Sequence, residues 1–275
     1  MPEKVAIVTG SSSGFGLLIC VEMAKAGFRV VASMRDFGRR EKLDQAAGPL
    51  APHMNVRRLD VTESATIPAF VEAVVHDYGR IDALVNNAGF AMAGFAEDLK
   101  LEEIRRQFDT NFFGAVAMTK AVLPIMRRQQ SGHIIMMSSI GGLVGAPGLG
   151  SYEASKHALE GWSESVRLEV NPFGIRVVLV EPGSYETDIW TRNAVLGEKT
   201  QDPSSPYSAR SQRLREFARK LKKRDPAEVA SLVVRIAQDP SPKLRYLVGP
   251  DAHIQLWLKR ILPWKSFEKL MAKAF

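Results

Sequence analysis

An α/β fold built on one wide parallel sheet is predicted for this chain of 275 residues. Three observations carry that prediction. Short apolar, β-branched runs alternate with longer helical patterns, as in repeated βα units. Neither a repeat of fixed period nor a Gly/Ser linker divides the chain, so a single domain over 1–275 is expected. Hydrophobic residues make up 45% and charged residues 24%, values of an ordinary soluble globular chain that exclude a collagen or a largely disordered protein. The one cysteine, Cys20, has no partner within the chain, which excludes a disulfide scaffold and points to a reducing compartment. With no targeting segment ahead of Val5, the expected location is cytoplasmic.

Strands are expected at 5–9, 29–33, 55–59, 83–86, 133–138 and 176–181, with a seventh at 244–248. Helical patterns cover 15–26, 67–78, 101–123 and 154–170. In the last of these Ala158, Trp162, Val166 and Val170 recur at helical spacing, a packing stripe. Residues 129–152 carry no Asp, Glu, Lys or Arg, yet six glycines and a proline make this stretch a poor helix in lipid. Net charge is +7, and it is concentrated, because residues 192–224 hold ten Lys or Arg against three acids. That window falls in a long insertion, 188–225, read as a cover over the substrate site. Its charges read as a solvated helix face before an anion site, and no nucleic-acid partner is expected. The tail 254–275 interleaves Leu256, Trp257, Leu258, Ile261, Leu262, Trp264, Phe267 and Leu270 with Lys259, Arg260, Lys265, Lys269 and Lys273. Packing as a last core helix or as a subunit contact is favoured over peripheral membrane contact.

Two motifs carry chemistry. Thr9-Gly10-Ser11-Ser12-Ser13-Gly14-Phe15-Gly16 follows the first strand and opens a helix. Glycine there lets the backbone turn sharply and approach a pyrophosphate, whose charge the helix N-terminus favours. No Gly-Lys-Ser/Thr follows, which argues against a nucleoside-triphosphate loop. In Tyr152-Glu153-Ala154-Ser155-Lys156, a Tyr and a Lys four apart share a helix face. A free phenol titrates near about 10, so the ammonium is expected to pull Tyr152 toward neutrality and let it exchange a proton.

Together these motifs resemble the short-chain dehydrogenase/reductase family, in its Tyr-x-x-x-Lys form. Further matches fall in family order: Asp60-Val61, Asn86-Asn87-Ala88-Gly89, Asn111, Ser138-Ser139, Pro182-Gly183 and Thr187. The resemblance implies a doubly wound Rossmann domain with a seven-stranded parallel sheet flanked by helices. It implies a catalytic set of Asn111, Ser139, Tyr152 and Lys156, with Ser139 on the substrate oxygen, Tyr152 exchanging the proton, Lys156 on the nicotinamide ribose and Asn111 holding a water. It further implies cofactor contacts from Thr9, Gly10, Ser12, Ser13, Gly14, Phe15, Gly16, Arg35, Asp60, Val61, Asn87, Ala88, Gly89, Pro182, Gly183 and Thr187; no metal is expected.

In the family, an acidic residue for NAD usually stands eighteen after the last loop glycine. Here that position is Met34, followed by Arg35 and Asp36. With Ser11, Ser12 and Ser13 as hydroxyl donors, NADP(H) is expected in preference to NAD(H). Asp36 is left open, to pair with Arg35 or to reach the ribose diol. The segments 180–187, 34–36 and 248–252 resemble the branch of 17β-hydroxysteroid and retinol dehydrogenases. That likeness implies a hydrophobic ketone, aldehyde or secondary alcohol, steroid-, retinoid- or long-chain-like, with Phe90, Phe95, Leu143, Val144, Tyr185 and Trp190 as wall residues. Alternatives are reduction of a 3-oxoacyl thioester, or a non-catalytic NADP(H)-binding sensor or scaffold. By family analogy the helices at 101–123 and 154–170 would pair subunits into a homodimer or homotetramer.

Overall fold

The computed structural model describes residues 3–190, 194–220 and 223–274. From the N-terminus the chain lays down β1 (Val5–Thr9), α1 (Gly14–Lys25), β2 (Arg29–Met34), α2 (Glu41–Ala47), β3 (Met54–Arg58), α3 (Ile67–Tyr78) and β4 (Ala83–Asn86). It continues through β5 (Ala91–Ala93), α4 (Leu101–Phe108), α5 (Gly114–Gln129), β6 (Gly132–Met137), α6 (Gly150–Val170) and β7 (Ile175–Pro182). Last come β8 (Ala194–Leu196), α7 (Ser208–Lys220), α8 (Ala227–Gln238), β9 (Arg245–Val248), α9 (Pro250–Ile261) and α10 (Trp264–Ala274). The seven expected strands form one sheet in the order β3-β2-β1-β4-β6-β7-β9, every pair parallel.

Helices cover both faces, which is why β1 reads as an unbroken apolar run. Side chains still alternate along it: Ala6 and Val8 enter the core beneath α1 and α8, whereas Val5 and Ile7 enter the core beneath α3, α5 and α6. α3 stops where its pattern does, because Gly79 at φ +75° closes it with a hydrogen bond from its N–H to the Val75 carbonyl.

Elements outside the sequence reading include the helices α2, α7 and α8 as well as short strands. β5 and β8 are three-residue strands that pair with each other outside the main sheet. The window 101–123 is not one helix: a π-helical turn at Asp109–Phe113 separates α4 from α5. The insertion after β7 leaves and returns at one place. Tyr185 bridges Arg224, the Glu186 N–H donates to the Arg224 carbonyl at 2.9 Å, and the Arg224 N–H donates to that of Ser184 at 3.2 Å. Between those pinned ends the excursion packs over the loops beyond β4 and β6: Ser205 donates to Asp98 at 2.9 Å, Tyr207 stacks on Phe95 at 4.7 Å, and Leu214 meets Gly148.

Candidate active site

β1 lies between β2 and β4, so the sheet's order reverses there and a crevice opens beyond the carboxyl ends of these strands. The loop leaving β1 is clamped by the loop leaving β4. Thr9 Oγ1 accepts from the N–H groups of Asn87 and Ala88, both at 3.0 Å, while Asn87 Nδ2 donates to the carbonyls of Thr9 (2.9 Å) and Gly10 (3.0 Å). Gly10 and Gly14 stand at φ +70° and +55°, where a side chain is strained. At Gly16 a Cβ would lie 2.3 Å from the Gly10 carbonyl oxygen, so only glycine lets α1 close onto the turn. No acidic residue occupies the first turn of α1, which leaves its positive end suited to a pyrophosphate. Thr187 faces the turn from across the crevice, its Cβ 3.4 Å from where a Gly14 Cβ would stand.

Some expected cofactor residues turn inward instead. Thr9 is buried behind the turn, its hydroxyl committed to backbone. Ser11 is buried and donates to the Ser33 carbonyl at 3.0 Å, so of the three loop serines only Ser12 and Ser13 stay half-buried. The Val61 side chain is buried against Gly114. Asp36 accepts from the Gly38 N–H at 2.9 Å and faces Arg39, not Arg35, at 3.5 Å. Arg35 is exposed at the end of β2, with Nε 3.8 Å from Asp60 Oδ2. The other Asp60 oxygen accepts from the N–H (3.0 Å) and hydroxyl (2.7 Å) of Thr62.

Ser139, Tyr152 and Lys156 line one cleft with Phe15, Asn87, Gly89, Pro182, Gly183 and Thr187. Ser139 caps a short turn, accepting from the Gly141 N–H at 3.1 Å, and shares a hydrogen bond with Tyr152. Lys156 Nζ lies 5.8 Å from the Tyr152 ring centroid and donates to the Met137 carbonyl at 2.7 Å. The electrostatics depart from expectation. Burial pushes the phenol up to about 12, against the lowering by Ser139, and the nearby Glu153 carboxyl adds to the rise. Lys156 is pushed down to about 8 by its own burial, which Glu160 opposes. Burial therefore outweighs the lowering of the phenol by Ser139, and the same dry surroundings disfavour the ammonium of Lys156.

Asn111 sits in the π-helical turn, and the reason is visible. Its amide accepts from the Phe90 N–H and donates to the Phe90 carbonyl, both at 3.1 Å, so the helix widens where this side chain binds a neighbouring strand-end loop. The same amide donates to Ser155 Oγ at 3.2 Å, and Ser155 donates to the Tyr152 carbonyl at 2.6 Å, tying Asn111 to α6. Ser155 was not singled out from sequence. Nor was Glu160, four residues past Lys156 on the same face of α6. Arg245 pairs with buried Glu160 and Glu181, the latter at 2.6 Å, and with half-exposed Glu164. The helical recurrence Tyr152, Lys156, Glu160 was the signal that could have found it.

On the substrate side, Phe90 and Tyr185 line the cleft as expected, joined by Met137 and Ile189. Leu143 and Val144 do not: Val144 is buried, and the Leu143 carbonyl receives Lys259. Phe95 is stacked on Tyr207 away from the cleft, and the Trp190 side chain lies outside the described residues. A separate hollow at the β3 edge, lined by Leu43, Ala47, Met54 and Tyr78, holds none of the expected catalytic residues.

Residues 4–195 match the family described as short chain dehydrogenase. The chain belongs to that family. As a short-chain dehydrogenase it is an NAD(P)-dependent oxidoreductase of the retinol dehydrogenase-like branch. An uncharacterised oxidoreductase of Bacillus subtilis, YusZ, is 42% identical over 278 residues, covering 99% of both chains. Human retinol dehydrogenase 8 is 37% identical over 253 residues, covering 88% of this chain and 80% of its own. A short-chain dehydrogenase from Streptomyces avermitilis superposes with a TM-score of 0.84 at 32% identity, covering 98% of this chain and 96% of that one.

Proposed function

We propose that this short-chain dehydrogenase reduces a hydrophobic ketone or aldehyde with NADPH, or oxidises the matching alcohol. The observation that carries the reading is the convergence of Ser139, Tyr152 and Lys156 on one cleft with the glycine turn. A bound nicotinamide supplies the hydride. Ser139 orients the substrate oxygen, and the Tyr152 hydroxyl gives that oxygen its proton as the carbonyl carbon is reduced. A phenol standing at about 12 is protonated at neutral pH, the state that carbonyl reduction needs. Lys156, anchored on the Met137 carbonyl, supports the ribose side of the cleft, and Asn111 holds the π-helical turn in register with α6. Phe15, Phe90, Met137, Tyr185 and Ile189 give the cleft apolar walls, which fits a large apolar substrate such as those named for the retinol dehydrogenase relative.

NADP(H) is supported by the exposed Arg35 at the end of β2, where it can meet a 2′-phosphate, and by Met34 in place of an acid. A cytoplasmic location fits the buried, unpaired Cys20.

The test is an NADPH-consumption screen over retinals, steroids, long-chain ketones and 3-oxoacyl thioesters, with Tyr152→Phe as control. Turnover should fall by roughly 10²–10⁴ in the control while dinucleotide binding holds. Unchanged turnover overturns the role of Tyr152. For the cofactor, Arg35→Ala should raise the Michaelis constant for NADPH and leave that for NADH alone; equal effects on both would sink the NADP(H) assignment.

A further inference from the structure

Within the single chain, the C-terminal tail leaves much of its apolar surface uncovered. On α9, Ile254, Trp257 and Ile261 recur at i, i+3 and i+7, which puts them on one face, and they are 57, 59 and 56% exposed. Beyond the turn at Pro263, Trp264 is 66% and Leu270 42% exposed. Ala252 on α9 and Phe267 on α10 turn inward, and the pair is tied down by Asp251, which accepts from the Ser184 N–H at 2.7 Å, and by Lys259 on the Leu143 carbonyl. Single exposed apolar residues are ordinary, and Phe37, Leu101, Phe113, Leu168 and Phe173 are scattered over five other segments. Five large ones fall within residues 254–270, two of them tryptophan, and Ile254, Trp257 and Ile261 make a patch on one face of α9.

The charge around the patch identifies its partner. Arg260, Lys265 and Lys269 are exposed beside it, Glu268 is the one exposed acid of the two helices among the described residues, and Asp251 points inward. An apolar stripe with tryptophan, flanked by cations, is the composition of a helix lying in a lipid headgroup layer. No described helix is long and apolar enough to cross a membrane. Position agrees with composition. α9 follows β9 at the carboxyl end of the sheet and rests on the loop that carries Ser139. The basic helix α7, with exposed Arg210, Arg213 and Arg215, meets the same loop at Gly148.

We infer that α9 and α10 seat this protein on an anionic lipid surface, with Ile254, Trp257, Ile261 and Trp264 among the headgroups and Arg260, Lys265 and Lys269 against lipid phosphates and carboxylates. The seating is independent of the redox reading, so its test uses neither substrate nor cofactor. Full-length protein is sedimented with phosphatidylcholine vesicles and with vesicles that also carry phosphatidylserine. Wild type should pellet with the anionic vesicles, less so as salt rises. Trp257→Glu/Ile261→Glu should lower the partition coefficient roughly tenfold or more. Lys265→Glu/Lys269→Glu, at exposed positions where folding is not at stake, should lower it roughly fivefold per cation removed and abolish the preference for phosphatidylserine. Thermal melts of both variants are compared with wild type. Wild type remaining in the supernatant with both vesicles overturns the inference. So does an unchanged partition in a folded Lys265→Glu/Lys269→Glu variant. Dissociation of an oligomer by Trp257→Glu/Ile261→Glu, read by sedimentation equilibrium, assigns the face to a second copy instead and overturns it equally.

Discussion

Glu153 follows Tyr152 in α6 and is buried, with both carboxyl oxygens accepting from the Ala146 N–H at 2.8 and 2.9 Å. Burial pushes its carboxyl up to about 7 from an ordinary 4.5, despite lowering by that N–H and by Lys259. A carboxyl raised on folding contributes stability that is fully present below 4.5 and lost as pH rises through about 7. The gap between 4.5 and about 7, at about 1.4 kcal/mol per pH unit, comes to about 3 kcal/mol, most of it between pH 5 and pH 8. Glu153→Gln keeps an acceptor for Ala146 and cannot ionise, so its stability should not decline over that interval. Differential scanning fluorimetry should show the wild-type Tm falling by roughly 5 °C more than that of the variant between pH 5 and pH 8. Removing the carboxylate also removes one cause of the raised Tyr152 phenol, so the alkaline limb of the activity profile should move to lower pH. Parallel Tm profiles for the two proteins would refute the claim that Glu153 is a protonated buried acid.

Two further substitutions test the geometry. In Gly16→Ala the new Cβ would sit 2.3 Å from the Gly10 carbonyl oxygen and 2.4 Å from Asn87 Nδ2, forcing open both the turn and its clamp. A stability loss of about 1–3 kcal/mol and at least about tenfold weaker NADPH binding by fluorescence titration are expected. Gly161→Ala, which meets nothing within 4 Å in α6, should be neutral or stabilising by about 0.5–1 kcal/mol, and the two behaving alike would refute the steric argument. Arg245→Met leaves Glu160 and Glu181 buried without their cation, a loss of about 3–5 kcal/mol at neutral pH. Burial, and then Glu181, already raise the Glu160 carboxyl, and without Arg245 it rises further. The deficit should therefore shrink toward pH 5, where the carboxyl is protonated in the folded protein; urea unfolding at pH 5 and pH 8 reads this, and an equal deficit at both would refute it.

The sheet was legible because its strands are buried on both faces and therefore continuous in the sequence. Val5–Thr9 and Ala83–Asn86 were found with their observed bounds. Short peripheral pieces such as Ala91–Ala93 were not, since three residues that pair outside the sheet carry no period. The broken helix at Asp109–Phe113 was invisible as a break, although Asn111 was singled out, because its cause is a hydrogen bond to Phe90, twenty-one residues away. Arg245 and Glu160, eighty-five residues apart, met for the same reason.

Family, sheet and the identity of the residues that gather at its carboxyl edge were readable along the chain, because glycine turns and a Tyr and Lys on one helix face are local geometry. Tertiary structure alone decided which of those side chains face the cleft, how far burial moves their protons, and that Ile254, Trp257 and Ile261 look outward. Periodicity shows that a helix has an apolar face. Only the packing of distant segments decides whether that face is covered.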